Sequence, residues 1–501
     1  MQKCLLSKVL MNIPNQNRNL STYKPLVVIV GTTGVGKSQF SIDLATKYHG
    51  EIINADSMQM YCGAPLITNK HPINDRNGVP HHVMNHVPWE EEYFIHRFEK
   101  EALSKIDDIH RRGKIPIVVG GTSYYLQSLL FTNRVVREDT NKTKQEEMEE
   151  DNVLSQEYLT KEEALKGLTK EQQDILNDTP IKVHEALKAI DPVISHKFHP
   201  NDTRRVKRVL EIYFRTGKKP SEIYENQTTT SSSSSSITTA GSSQLRFPTL
   251  VYWLWADQST LNQRLDTRVD SMFENGAVNE IHELYQSYQR LLTTPENRCQ
   301  HGVFQVIGFK EFLPWLEDGA TNDELFAQAI DKMKVKTRKY SKMQIKWIRN
   351  VLIKELQRNT SPEGLFSAEL DLLDATDLSN WQENVAEEGF KKFERFLEND
   401  NRGLKIDIPT KIKEVLLPND AGADETIKSK NWQSFTCQTC VDKDSKLPLI
   451  LVGEDQWKKH LAGRKHRSNL NRGKKREEYE QWVKRQKLVS EEKSNDTESQ
   501  Q

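Results

Sequence analysis

No run of about 18 consecutive apolar residues occurs in the chain, so no membrane-spanning helix is expected. Cysteine is scarce: Cys4, Cys62, Cys299, Cys437 and Cys440 are all there is in 501 residues. An odd, sparse set does not make a disulfide framework, and a reducing compartment fits better. Net charge is missing too, with 71 basic residues against 71 acidic ones. Bulk charge therefore points to no partner, and only local patches can. Hydrophobic residues make up 36% of the chain, below the roughly 45–50% of an ordinary globular protein. Polar tails or linkers must dilute them.

What the sequence does have is length for two or more folding units and a sizeable core. Its first 24 residues carry Lys3, Lys8, Arg18 and Lys24 and no acid. Leu5, Leu6, Val9, Leu10 and Ile13 fall on one helical face. That pattern resembles a mitochondrial presequence, with an uninformative disordered terminus as the alternative. Met11 as a second start would leave some product in the cytosol, so mitochondrion and cytoplasm are both expected.

Short apolar runs at 26–30, 52–53, 115–119 and 250–255 read as buried strands, and 39–48 reads as a helix. Strands alternating with helices predict a parallel α/β sheet. Residues 138–195, rich in Glu, Lys, Gln and Leu, read as a helical insertion into that core. Residues 227–243, with six consecutive serines, are low in complexity and predict a disordered loop. The expected core runs over 25–400, a polar linker over 401–430, a small unit over 431–472 and a charged tail over 473–501.

Gly31-Thr32-Thr33-Gly34-Val35-Gly36-Lys37-Ser38 matches G-x-x-x-x-G-K-[S/T] between a predicted strand and a predicted helix. Its backbone N–H groups and the helix N-terminus suit an anion. Lys37 neutralises a distal phosphate, and the Ser38 hydroxyl can ligate Mg²⁺. The loop specifies a polyphosphate but not whether a P–O or a C–O bond breaks. Asp56 lies just past the 52–53 strand, where it reads as a general base, a Mg²⁺ ligand or a helix cap. Gly120-Gly121-Thr122 closes the 115–119 strand with no acid to hold Mg²⁺ for ATP chemistry. Thr122 reads as a substrate contact or a helix start.

Arg264 and Arg268, spaced i, i+4, can clamp a diphosphate side by side, or pair with Asp266 and Asp270 on a solvated face. Arg204, Arg205, Lys207 and Arg208 form one basic patch. A second run spans Lys332, Lys334, Lys336, Arg338, Lys339, Lys342, Lys346 and Arg349, with Tyr340 and Trp347 interleaved. Such runs are solvated surface or an RNA backbone site. His81 and His82 have no ligand cluster nearby and read as ordinary hydrogen-bonding residues.

Cys437-x2-Cys440, then His460 and His466, offer two thiolates and two imidazoles, a tetrahedral set suited to structural Zn²⁺. The long spacer and His-x5-His resemble U1-type and matrin-type fingers, which are associated with RNA. A nuclear or protein-docking role is the alternative. Arg464, Lys465, Arg467 and Arg472 add basic surface.

The ordered motifs at 31–38, 56–61 (Asp-Ser-Met-Gln-Met-Tyr), 120–126, 199–202, 264–270, 307–312 and 344–348 resemble the tRNA dimethylallyltransferase family over about residues 25–350. The finger makes the resemblance one to its eukaryotic form. It implies a P-loop NTPase-like core with a helical insertion gripping the anticodon stem-loop, acting as a monomer. It implies prenyl transfer from dimethylallyl diphosphate to N6 of adenosine 37 in tRNA. Asp56 would then take the N6 hydrogen bond or proton. Thr33 and Arg268 would stabilise the leaving diphosphate, with the loop amides, Lys37 and Mg²⁺. Ser57, Met58 and Gln59 would line the flipped base, Thr122 would contact tRNA, and Arg204 to Arg208 would hold the anticodon loop. Bacterial members often carry Gln at the position of Arg204.

Overall fold

The computed structural model describes residues 24–132, 167–229, 244–291, 299, 302–360, 366–398, 403–416, 433–441, 448–472, 479 and 481–482. Of the expected segments, residues 1–23 of the presequence, 138–166 of the insertion, 230–243 of the serine-rich loop, 417–430 of the linker and nearly all of the tail lie outside the described residues. The described residues fall in two compact units. One draws on 1–137 and 230–421, the other on 165–229 and 422–501.

The first unit is built on a seven-stranded sheet in the order β3-β2-β4-β1-β5-β6-β7. The strands are β1 (Leu26–Gly31), β2 (Glu51–Asn54), β3 (His81–His82), β4 (Pro116–Val119), β5 (Thr249–Trp255), β6 (Ala368–Asp374) and β7 (Leu404–Asp407). Every pairing is parallel. The four apolar runs read from sequence are β1, β2, β4 and β5, buried on both faces as a central parallel strand must be. The sequence reading missed β3, β6 and β7. Two residues make β3, and β7 is a half-buried edge. Strand β6, Ala-Glu-Leu-Asp-Leu-Leu-Asp, carries acids that look exposed, yet Glu369 and Asp371 are buried. Arg395 donates to both, at 3.2 and 2.9 Å, which makes their burial tolerable.

Helices cover both faces of the sheet: α1 (Lys37–Tyr48), α2 (Ile95–Arg111), α3 (Ser123–Leu130), α7 (Gln258–Glu274), α8 (Ala277–Leu291), α9 (Asp323–Trp347) and α10 (Glu388–Glu398). Asn322 caps α9 by accepting from Glu324 N and Leu325 N, each at 3.1 Å. One core lies under Val28, Val30, Ile53 and Trp253, the other under Val27, Ile29, Phe40 and Tyr252. With β1 central, the C-terminal ends of β1, β2 and β4 sit side by side, the edge where open α/β sheets bind ligands.

The second unit has α4 (Lys170–Asn177), α5 (Pro180–Ile190) and α6 (Thr203–Thr216) around Leu176, Val183, Leu187, Phe198, Val206 and Leu210. The helical segment thus runs on past 195 to Thr229. The same unit holds the antiparallel pair β8 (Ser434–Val441) and β9 (Pro448–Val452) and helix α11 (Glu454–Leu461). His196 Nδ1 and Ser434 Oγ are 3.1 Å apart, a contact between its helices and its hairpin.

Candidate active site

The phosphate loop joins β1 to α1 in the predicted strand–loop–helix order. Gly34 takes φ +78°, and a Cβ there would lie 2.7 Å from the Leu265 side chain. Glycine is needed on both counts. Lys37 Nζ donates to the Thr32 carbonyl at 2.7 Å. Arg268 reaches the loop from α7 and donates to the Thr33 hydroxyl at 3.0 Å. Its Nε is buried and unpartnered, as is the Thr32 hydroxyl.

Burial pulls Lys37 down to about 8, against the opposing pull of Asp56. Arg268 is likewise drawn down to about 10 by burial, with Asp56 again holding it up. Asp56 is raised by burial, against the Met58 N–H, Lys37 and the Gln59 N–H. Two desolvated cations thus share one desolvated carboxylate. Charges taken out of water need partners, so the loop is electrostatically incomplete without an added anion.

Asp56 stands just beyond β2, with its N–H on Asn54 Oδ1 at 3.1 Å and Oδ1 accepting from Met58 N at 3.0 Å. One carboxylate oxygen thus closes a turn; no helix follows for Asp56 to cap. Thr122, at the start of α3, accepts from Ser57 N at 3.0 Å and donates to Ser57 Oγ at 3.3 Å. That pair ties the ends of β2 and β4 together. Gln59 donates to Asn69 O at 2.9 Å, and Lys70 Nζ to Tyr61 O at 2.6 Å, so the segment after Asp56 folds back on itself.

Sequence reasoning missed Gln344. Its Oε1 accepts from Thr33 N at 2.8 Å, and its Nε2 reaches Gly121 O at 3.5 Å. A neutral amide therefore bridges the phosphate loop and the end of β4, where ATP enzymes often hold an acid. Tyr340 also donates to Gly121 O, at 3.4 Å. The signal was legible: Thr337, Ser341 and Gln344 put a buried polar stripe on α9.

Two readings are corrected. Arg264 and Arg268 line one hollow on α7, but Arg264 is not free to act as half of a clamp. Its Nη1 donates to Ala375 O at 2.7 Å and its Nη2 to Thr376 O, the carbonyls just past the end of β6. Nor do Asp266 and Asp270 pair with these arginines. They take Arg338 and Lys334 of α9, the latter at 2.6 Å, so that basic run is partly neutralised by α7. Lys332, Lys336, Lys339, Lys342 and Lys346 remain exposed along one side of α9. His82 hydrogen-bonds Glu51 at 2.8 Å and His81 the Val79 carbonyl at 2.8 Å, ordinary roles as expected.

In the other unit, Arg205 and Arg208 lie on α6. Arg205 pairs with Asp202, and Arg208 with Glu211 at 3.1 Å. Only the backbone of Arg204 is described there.

The second constellation also lies in that unit. Ligand atoms of Cys437, Cys440, His460 and His466 all fall within 4.8 Å of one another. His466 Nδ1 is 3.5 Å from Cys437 Sγ and 3.6 Å from Cys440 Sγ. His460 Nε2 is buried with no hydrogen-bond partner. A buried orphan imidazole nitrogen in a residue clustered with two thiols fits a metal ligand set. Phe435 and Trp457 stack at 5.4 Å beside it. Asn469 donates to Cys440 Sγ at 3.3 Å, a contact that would support a thiolate ligand.

Comparison with known proteins agrees with this arrangement. Residues 59–351 match the model of the IPP transferase family. The chain is 45% identical to a tRNA dimethylallyltransferase of Saccharomyces cerevisiae over 92% of its own length and 96% of that protein's. It is 33% identical to a human tRNA dimethylallyltransferase, over 92% of this chain and 88% of the relative. A crystal structure of a eukaryotic dimethylallyltransferase acting on tRNA aligns with a TM-score of 0.69 at 42% identity, covering 92% of this chain and all of that one. The chain belongs to the IPP transferase family.

Proposed function

We infer that this chain moves the dimethylallyl group of dimethylallyl diphosphate to N6 of adenosine 37 in the tRNA anticodon loop, releasing diphosphate. The carrying observation is the surplus of buried positive charge in the loop, Lys37 and Arg268 against Asp56 alone, with Gln344 where an ATP enzyme would place an acid. The allylic C–O bond breaks, its electron pair leaves on the diphosphate, and a C–N bond forms to N6. The N6 proton passes to Asp56. Donors fixed where the leaving group gains charge lower the barrier most, and here they are the loop amides, Lys37, Arg268 and the Thr33 hydroxyl. The Ser38 hydroxyl would hold Mg²⁺, which supplies further neutralisation of the diphosphate. A target base must leave its stack, which a single-stranded loop makes cheap. Ser57, Met58 and Gln59 would line that base, with Thr122 beside them.

The exposed lysines of α9 and Arg205 and Arg208 of α6 would meet RNA phosphates. The Cys437, Cys440, His460 and His466 set would hold a structural Zn²⁺, closing a finger too small to fold on apolar burial alone. Incubation with labelled dimethylallyl diphosphate, Mg²⁺ and tRNA tests the reading. Label in tRNA supports it. ATP consumption with no RNA dependence would replace it with a kinase.

A further inference from the structure

Helix α10 and the segment before it pack against the phosphate-loop helix, and both lie beyond residue 351, where the family match ends. Tyr48 of α1 donates to Glu394 Oε1 at 2.6 Å. A Cβ on Gly389 would meet the Phe40 ring at 2.4 Å. A comparably close approach falls on the loop itself. A Cβ on Gly36 would lie 2.5 and 2.6 Å from two ring atoms of Trp381. Gly36 has φ +97° and directly precedes Lys37, so the indole edge rests against the backbone that aims the loop amides.

Trp381 is itself held. Its Nε1 donates to Asp43 Oδ2 of α1 at 3.3 Å. The chain leading to it is pinned by Arg264, which donates to the carbonyls of Ala375 and Thr376. Asp374 and Asp377 tie the turns between, accepting from Thr376 N and Ser379 N, each at 2.9 Å.

We propose that residues 375–381 are a brace on the phosphate loop, with Trp381 the positioning residue that fixes Gly36 and Arg264 the residue that fixes the brace. Arg264 thus acts on diphosphate affinity without touching the diphosphate. A loop of successive N–H groups binds an anion tightly only when its backbone is already in place, since ordering it on binding costs affinity. This rests on the reading of the loop as a diphosphate site, not on the identity of the prenyl acceptor.

The test uses the full-length protein, inorganic diphosphate with Mg²⁺ and calorimetry, alongside steady-state kinetics. Trp381→Ala is expected to weaken diphosphate binding and raise the donor KM about tenfold, the scale of a small misplacement in a preorganised site. kcat should change far less, and tRNA affinity should not change. Trp381→Phe keeps a ring on Gly36 and should recover most of the loss. Arg264→Met should reproduce the Trp381→Ala effect, and the double variant should add little to either. Unchanged diphosphate affinity in a folded Trp381→Ala protein overturns the proposal. So does a fully additive double variant, which would put Arg264 on the diphosphate itself. Wild-type protein that binds no diphosphate would instead overturn the reading of the loop.

Discussion

Arg268 donates to the Thr33 hydroxyl at 3.0 Å, so a guanidinium from α7 is built into a loop 235 residues away in sequence. Its Nε remains buried and unpartnered beside the loop glycines. A planar cation held so, with a donor to spare, is placed for a charge that arrives with the ligand and grows in the transition state. Arg268→Ala should therefore lower kcat by about 10²–10³, the usual cost of one such donor. Arg268→Lys should recover little, because a point charge does not reproduce the fork. Single-turnover rates with saturating donor read this directly.

The pH profile follows from two buried groups. Asp56 is raised by burial, and it acts as a base only when deprotonated. kcat/KM should climb with pH, with its acid limb above the ordinary carboxylate range. Lys37 is held down to about 8 by burial, so its charge is lost as pH rises past that value. Donor affinity should fall on the alkaline side. Asp56→Asn should remove the acid limb with most of the rate, and should keep the alkaline loss of donor affinity but move it to lower pH, because the Asp56 charge no longer holds Lys37 up. Rate and binding measured across pH for both proteins separate the two groups.

Gln344 supplies a third check. Gln344→Leu strips the acceptor from Thr33 N, leaving a partly buried N–H unpaired at a cost of about 1–3 kcal/mol. The donor KM should rise about tenfold or more while tRNA affinity holds. An unchanged donor KM would show that the amide bridge does not set the loop.

Much of this site was legible in the sequence, and the boundary is physical. The loop at 31–38 and Asp56 were legible because strand, glycines and charge are all local. The separate roles of Arg268 and Arg264 were not, because i, i+4 spacing gives a shared face but not the partner each guanidinium finds. Arg264 turns instead to the carbonyls of Ala375 and Thr376. Strand β6 was hidden by Glu369 and Asp371, whose burial depends on Arg395 from a helix further along the chain. Trp381 carried no local signal at all. Only the packing of 375–381 on α1 gives it a role.

The finger predicts a separable effect. Zinc should be present near one ion per chain, and chelation should unfold the finger with little change in diphosphate binding. Cys437→Ser should do the same. tRNA affinity should fall in both cases, read by filter binding beside a metal assay. Unchanged tRNA affinity in the zinc-free protein would remove RNA binding from the finger's role.

The exposed lysines of α9 give a salt signature. Replacing Lys336, Lys339 and Lys342 with Gln should lower the slope of log affinity against log salt by about 0.7–0.9 for each RNA phosphate left without its lysine. An unchanged slope would move the RNA backbone away from α9.

The central claim is that the loop grips a leaving diphosphate while Asp56 serves the attacking amine. The most direct measurement is a nucleoside digest of tRNA after incubation with labelled dimethylallyl diphosphate, Mg²⁺ and either wild-type or Asp56→Ala protein. The account predicts label on adenosine N6 with wild-type protein and its near-complete loss with the variant. Label that persists undiminished in Asp56→Ala, or a wild-type protein that leaves tRNA unlabelled while consuming ATP, would contradict it.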